Sequence, residues 1–91
     1  MKVQNMTSNN GNKIANQFII YDGDKTYFQS YNSIIVMKDN LNNKIYLDST
    51  FWNYSNTTAK YRNKFLNEKI NNTRKKLREG VYILTDLNKG E

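Results

Sequence analysis

The sequence predicts an α+β domain, in which an antiparallel meander sheet of four or five strands packs one face against one long basic helix, in the order ββββαβ. Two observations predict this class. Between Phe18 and Asp48, short apolar runs alternate with turn residues, which is typical of successive strands. Over residues 55–80, apolar residues recur at helical spacing among many cations, and a β-prone run follows at residues 81–87.

The start of the chain differs from the rest in composition. Residues 1–16 are rich in Asn, Ser, Thr and Gly, and their apolar residues Val3, Met6 and Ile14 follow neither a helical nor a strand period. Such a segment gains little from burial, so we expect a flexible N-terminal leader. A single domain is then predicted over residues 17–88, followed by a short polar tail over residues 89–91.

The predicted strands lie between clear turn signals. Gly23 and its flanking aspartates favour a hairpin turn, because glycine tolerates a positive φ and aspartate caps nearby backbone amides. The strands are predicted at residues 18–21, 25–29, 33–38, 44–48 and 81–87. Side-chain alternation then gives two sets on opposite faces, the first being Ile20, Phe28, Ile45 and Ile83 and the second Tyr21, Tyr27, Tyr46 and Tyr82.

The helix predicted over residues 55–80 carries most of the charge. The chain has a net charge of +6, and eight of its fourteen Lys and Arg residues lie in this segment. Ser55 or Thr57 is suited to cap the helix start, and Gly80 supplies a stop. The stripe expected to face the sheet comprises Ala59, Phe65, Leu66, Ile70, Thr73 and Leu77. The opposite surface must face water or an acidic partner.

The residue inventory excludes most catalytic arrangements. The 91 residues include no cysteine and no histidine, which removes disulfides, Cys/His zinc sites and imidazole acid–base chemistry. The aspartates fall mostly in predicted turns and strand ends, where Asp has structural roles. We therefore predict no catalytic residue, no cofactor, no metal site and a protein that is not an enzyme. No apolar run approaches the roughly 20 residues that cross a bilayer, so we expect a cytoplasmic protein without a membrane partner.

Aromatic and basic residues at the helix form the first candidate surface, for a protein partner. Aromatic residues and Arg are the types that anchor protein interfaces. The predicted contributors are Trp52, Tyr54, Tyr61, Arg62, Lys64, Lys75 and Arg78. Two structural explanations stand beside this one. Trp52 and Phe51 also suit a plug for the end of the core, and cations in the last helical turns complement the helix dipole.

The sheet face that the helix leaves uncovered is the second candidate surface. Tyrosine rings on that face could stack on bases while helix cations neutralise phosphates, which gives a nucleic-acid-binding alternative. The residues of this alternative are Tyr21, Tyr27, Tyr46, Tyr82, Arg74 and Lys76. The same face could instead close on a second copy, as in a homodimeric structural or virion-associated protein.

Several segments of the chain form a recognisable pattern, namely FQSYNSII at residues 28–35, YLD at 46–48, WNYS at 52–55, TT at 57–58, KYRNKFL at 60–66 and GVYILTDLN at 80–88. This pattern resembles a family of small uncharacterised proteins from bacteriophages and plasmids. The resemblance covers about residues 16–88 and leaves the predicted leader outside. It brings no known reaction or binding site with it.

What the resemblance implies is a mobile-element accessory protein that works by binding. We expect it to inhibit a bacterial host defence complex, as an anti-CRISPR or other anti-defence inhibitor, with a host protein or ribonucleoprotein complex as the partner. An inhibitor that mimics DNA should be acidic. This basic chain is therefore expected to occupy an acidic protein surface or to contact guide nucleic acid.

Overall fold

A six-stranded sheet, with its strands in chain order, dominates the computed structural model, which describes residues 1–89. The strands are β1 (Lys2–Thr7), β2 (Lys13–Asp22), β3 (Lys25–Ser30), β4 (Ser33–Asp39), β5 (Lys44–Asp48) and β6 (Tyr82–Thr85). Strands β1 to β5 pair antiparallel with their neighbours, and β6 pairs parallel with β5. The chain is therefore an α+β protein with a mixed sheet, not the antiparallel one predicted. Of the predicted tail, residues 90 and 91 lie outside the described residues.

The predicted strand count was too low, because residues 1–16 form β1 and the start of β2 rather than a leader. Val3 pairs with Ile20, so β1 is an edge strand of the sheet. Met6 is 9% exposed and belongs to the core. Mostly polar side chains suffice in β1, since an edge strand gains its backbone hydrogen bonds from its neighbour and needs few apolar contacts. Apolar periodicity was therefore too weak to reveal it.

Two helices, rather than the predicted single one over residues 55–80, connect β5 to β6. Helix α1 spans Asn56–Leu66 and helix α2 spans Ile70–Arg78. The Ser55 hydroxyl accepts a hydrogen bond from the Thr58 N–H at 3.1 Å, so Ser55 caps α1 as predicted. Gly80 follows α2 with φ +76°. Within residues 1–89, neither helix is long and apolar enough to span a bilayer.

The break between the helices occurs at Asn67. Its φ of 55° and ψ of 49° place it in the left-handed region, which Asn tolerates better than most residues. The Glu68 N–H donates to the Asn63 carbonyl at 3.0 Å, and the Asn67 N–H donates to the Lys64 carbonyl at 3.2 Å. These two bonds form the Schellman pattern that ends a helix. The apolar stripe continues across the break, which is why helical spacing alone predicted one helix.

The core lies between the sheet and the helices. Phe28, Val36 and Leu47 are fully buried, and Phe65 of α1 stacks on Phe28 with ring centroids 5.8 Å apart. The pairing of β3 with β4 shifts by one residue after Phe28, and this β-bulge lets the consecutive residues Ile35 and Val36 both enter the core. The side of the sheet that carries Phe28 is therefore the helix side. We call the other side the open face.

The register divides the predicted tyrosine set between the two sides. Asp22 pairs with Lys25 across a two-residue turn, so Ile20 lies opposite Tyr27 and Tyr21 opposite Thr26. Directly opposed residues share a face. Tyr27 and Tyr46 consequently lie on the open face with Ile20 and Ile83, whereas Tyr21 and Tyr82 lie on the helix side with Phe28 and Ile45. The predicted grouping assumed strand registers that would keep the four tyrosines on one face.

Candidate binding surfaces

The helix layer, formed by α1 and α2, carries the positive charge of the molecule. Residues 55–80 hold eight basic and two acidic residues, which account for the whole net charge of +6, so the rest of the chain is neutral. The exposed cations are Lys60, Lys64, Lys69, Arg74, Lys75 and Arg78. In the part of the chain that the structure describes, the one ion pair joins Lys76 to Glu68. The six exposed cations are therefore free to attract an anionic partner.

Lys76 is held within the fold rather than offered to a partner. Its Nζ lies 2.7 Å from Glu68 Oε1, and the Tyr82 hydroxyl donates to the same oxygen at 2.8 Å. Thr73 Oγ1 donates to the other carboxylate oxygen. Burial raises the pKa of the Glu68 carboxyl, but the hydrogen bonds from these three side chains outweigh burial, and the net effect lowers the pKa. The carboxylate thus joins the helix break to α2 and β6.

Arg62, predicted as part of a partner surface, is fully buried. Its Nη1 donates to the Trp52 carbonyl at 2.8 Å and to Asn53 Oδ1 at 2.9 Å, and its Nη2 donates to Asn63 Oδ1 at 2.9 Å. Burial and the positive charge of Arg74 both lower the pKa of the guanidinium. Neutral oxygens rather than a carboxylate satisfy these donors. Arg62 therefore fixes the loop before α1 to the helix and cannot contact a partner.

The aromatic residues at the start of α1 divide into a buried and an exposed group. Trp52 and Phe51 are half-buried and pack against the core, in agreement with the structural explanation given for them. Tyr54 is 45% exposed and makes an edge contact with Phe51 at 5.3 Å between ring centroids. Lys64 Nζ lies 5.7 Å from the ring centroid of the half-buried Tyr61. Tyr54, Tyr61 and Lys64 therefore remain candidates for a partner surface.

An apolar row crosses all six strands on the open face. Each member is paired directly with the next one across the sheet. This central row consists of Val3, Ile20, Tyr27, Met37, Tyr46 and Ile83. Val3 and Ile83 at its two ends are 56% and 37% exposed. None of the six packs against the buried core, and no described helix covers them.

A row of alternating charge borders the central row. Asp22 is paired with Lys25, Lys25 with Asp39, and Asp39 with Lys44, one residue from each of β2 to β5. We call these four residues the charged row. Asp39 also accepts hydrogen bonds from the side chain and backbone of Asn42, at 2.8 and 3.1 Å, and these bonds lower the pKa of its carboxyl. The open face is thus apolar with balanced charge, in contrast to the helix layer.

The predicted nucleic-acid site of tyrosines beside helix cations is not assembled. Tyr27 and Tyr46 lie on the open face, and the sheet separates them from the helix layer. Tyr82 is only 5% exposed and is bonded to Glu68, whereas Tyr21 is 42% exposed on the helix side. A single-stranded nucleic acid whose bases stack on the open face cannot place its phosphates on the helix cations at the same time.

A family model described as a family of unknown function, DUF8033, matches residues 1–82. The chain belongs to this family. The DUF8033 match includes β1 and β2, so the segment expected to be a leader is part of the family domain. No curated protein and no solved structure matches the chain.

Asp48, at the end of β5 in this DUF8033 chain, has a buried carboxylate that supports the following loop. Its Oδ2 accepts hydrogen bonds from the Thr50 and Phe51 N–H groups at 3.1 and 2.8 Å, and its Oδ1 accepts one from the Leu87 N–H at 2.8 Å. Residues 1–89 contain no group of three or more potential metal ligands and no pocket.

Sequence reasoning missed the central row and the charged row. The part of each row that lies on β2 and β3 follows from one feature that the sequence does signal, the two-residue turn Gly23-Asp24. Had the register been set by pairing Asp22 with Lys25, Ile20 would have been placed opposite Tyr27. The residues of the charged row lie where strands meet turns, and charged residues are common there because they face water. Their presence in the sequence therefore did not indicate that they align across β4 and β5.

Proposed function

We propose that the protein acts by binding rather than by catalysis, and that it inhibits a bacterial host defence complex by laying its helix layer on an anionic surface of that complex. One observation supports this proposal above the others. Six exposed cations share one layer of the molecule, and none has a carboxylate partner within residues 1–89. Such a surface accelerates association with an anionic partner and disfavours cationic ones.

The contact residues of the proposal are the exposed subset of those predicted from the sequence. Tyr54, Tyr61 and Lys64 lie at α1, and Lys75 and Arg78 lie in the last turns of α2. A partly exposed tyrosine beside cations supplies an anchor with both apolar area and a polar tip. Arg62 is left out because it is buried, and Trp52 contributes through its support of the loop.

A second candidate is direct binding of nucleic acid through the phosphate backbone. The same six cations favour it, because phosphate contacts depend on Lys and Arg and need no base-specific group. Since the open-face tyrosines lie on the far side of the sheet, this mode involves no stacking on them. We therefore expect little preference for sequence or for single strands.

Affinity capture from a bacterial lysate, followed by mass spectrometry and nucleic-acid analysis, tests the first candidate. Subunits of a defence nuclease complex should co-purify with the wild-type chain and not with a Lys75→Glu/Arg78→Glu variant. The matched control is Lys2→Glu/Lys13→Glu, which changes net charge equally at exposed positions in β1 and β2. Equal loss of the partner from both double variants would show that net charge, not the helix layer, determines binding. If no host complex were captured, the proposal that the protein is an inhibitor of a defence complex would be overturned.

Oligonucleotide binding across a salt series tests the second candidate. Each phosphate contact contributes a slope of about −0.9 to a plot of log affinity against log salt for duplex DNA. Removal of Lys75 and Arg78 should reduce the slope by about two contacts, while the Lys2/Lys13 control retains it. Absence of binding at low salt would remove this candidate and leave the first one standing.

A further inference from the structure

We propose that the open face binds a second copy of this chain, in a face-to-face dimer whose two-fold axis runs parallel to the strands between β3 and β4. This inference is independent of the helix-layer function proposed above. The central row is apolar, spans six strands and is uncovered by residues 1–89. A contiguous apolar patch that the fold leaves uncovered marks an interaction surface. The alternating charge beside the central row identifies the partner as a second copy.

The central row is complementary to itself about the proposed axis. The axis lies at the middle of the sheet, so it exchanges β3 with β4, β2 with β5 and β1 with β6. Tyr27 then faces Met37 of the second copy, Ile20 faces Tyr46, and Val3 faces Ile83. Every contact joins two apolar or aromatic side chains. Two sheets packed in this way have nearly aligned strands, which is a common arrangement in β-sandwiches.

The charged row is complementary about the same axis. Asp22 on β2 faces Lys44 of the second copy on β5, and Lys25 on β3 faces Asp39 on β4. A row that alternates negative and positive charge over four strands pairs opposite charges when its strand order is reversed. The axis therefore opposes unlike charges in all four facing pairs of the dimer. The exposed Asp22 and Lys44 contribute most, because Asp39 is only 8% exposed and already accepts hydrogen bonds from Asn42. A neutral face with this alternation does not select a strongly charged partner.

The other two-fold arrangement fails on burial of charge. An axis perpendicular to the strands would lay each strand on its own copy, running in the opposite direction. Asp22 would then face Phe18, and Lys25 would face Gln29, across the central row. Burial of a carboxylate against an aromatic ring without a partner is costly. The helix layer is also unsuited to self-association, because its whole net charge of +6 would be placed against an equal charge.

The size of the face sets the expected affinity. Six strands at about 4.8 Å spacing are about 24 Å wide, and five residues along a strand cover about 17 Å. This gives roughly 400 Å² of facing area per copy, or about 800 Å² in total, which is below the roughly 1,200–2,000 Å² that stable interfaces bury. We therefore expect a weak dimer with a dissociation constant on the order of 100 micromolar, which forms and dissociates within the concentration range of the experiment below.

Sedimentation equilibrium of the full chain over a concentration series at physiological salt tests the dimer. The wild-type chain should approach twice its mass of 10.8 kDa. Asp22→Lys and Lys44→Asp should each weaken the dimer about tenfold, because each turns two attractive pairs into repulsive ones. The double variant Asp22→Lys/Lys44→Asp should restore it. Within one chain these positions lie three strand spacings apart, about 14 Å, so rescue must act between copies.

Two further variants separate loss of the dimer from loss of the fold. Met37→Glu in the central row should abolish dimerisation, while Leu41→Glu, at a position 73% exposed in the turn after β4, should leave it intact. Asp24→Lys changes charge in the turn beside Asp22 and should also leave it intact. Circular dichroism checks that each variant is folded. A chain that stays monomeric at all concentrations, or a dimer that the double variant fails to restore, would overturn the proposal.

Discussion

Replacement of Glu68 by Ala should destabilise the protein by about 3 kcal/mol. The carboxylate accepts hydrogen bonds from Tyr82, which is 5% exposed, and from Thr73, which is fully buried. Each buried hydroxyl left without an acceptor costs about 1–3 kcal/mol. Thr73 retains a long contact to the Lys69 carbonyl at 3.5 Å, so its cost lies near the lower limit. The half-exposed ion pair with Lys76 adds at most about 1 kcal/mol.

Urea unfolding followed by circular dichroism measures this loss. For a domain of this size, about 3 kcal/mol corresponds to a decrease in melting temperature of roughly 12–24 °C. Glu68→Gln should lose less than Glu68→Ala, because the amide keeps one acceptor oxygen. Glu79→Ala is the control, since Glu79 is exposed and should change stability by less than about 0.5 kcal/mol. If Glu68→Ala were as stable as Glu79→Ala, the network would have no energetic role.

The same carboxylate should give a signature in the pH dependence of stability. The folded-state pKa of Glu68 lies below its ordinary value of 4.5. A carboxyl with a lowered pKa stabilises the fold above its unfolded pKa, and this stabilisation is lost as the pH falls through the folded pKa. The stability difference between wild type and Glu68→Gln should therefore be full near neutral pH and shrink below about pH 4.5. A stability difference between the two proteins that stayed unchanged down to pH 3 would contradict a lowered pKa for Glu68 in the folded state.

Three other substitutions test local features by urea unfolding. Arg62→Lys should cost about 2–3 kcal/mol, because one ammonium group cannot replace two guanidinium nitrogens that donate to three separate oxygens. The control Lys64→Ala, at an exposed position of α1, should cost less than about 0.5 kcal/mol. Gly80→Ala should cost about 1 kcal/mol through its φ of +76° alone, since open space surrounds the added methyl group. Asn67→Gly should leave stability nearly unchanged, whereas Asn67→Ala should cost about 1 kcal/mol; equal costs would show that the left-handed conformation is not limiting.

The order of strands and the helical segment could be predicted because their signals are local. Turn residues separate β2 from β3, and Ser55 and Gly80 bound the helical segment. The helix break could not be predicted from spacing, because the apolar stripe continues past Asn67 and only the backbone conformation of that one residue ends α1. Strand β1 escaped prediction because an edge strand depends on backbone pairing more than on apolar side chains.

The candidate surfaces depended on information that is not local. Exposure of the helix cations was predictable from their number. The burial of Arg62 was not, because it depends on the loop before α1, whose Trp52 carbonyl accepts a hydrogen bond from Arg62. The division of the tyrosines follows from strand register, and a shift of one residue exchanges the faces. Tyr82 was assigned to the open face, although the parallel β6 places it toward Glu68. Sequence therefore located the charge and not the alignment of side chains across strands.

The central claim is that two opposite surfaces of this small domain serve different partners, and an NMR titration of the isotope-labelled full chain tests it most directly. Addition of a short oligonucleotide at low salt should shift amide signals of α1 and α2, while dilution of the chain alone should shift signals of the central row. If both treatments moved the same signals, or if the helix signals did not respond to a polyanion, the separation of the two surfaces would be contradicted.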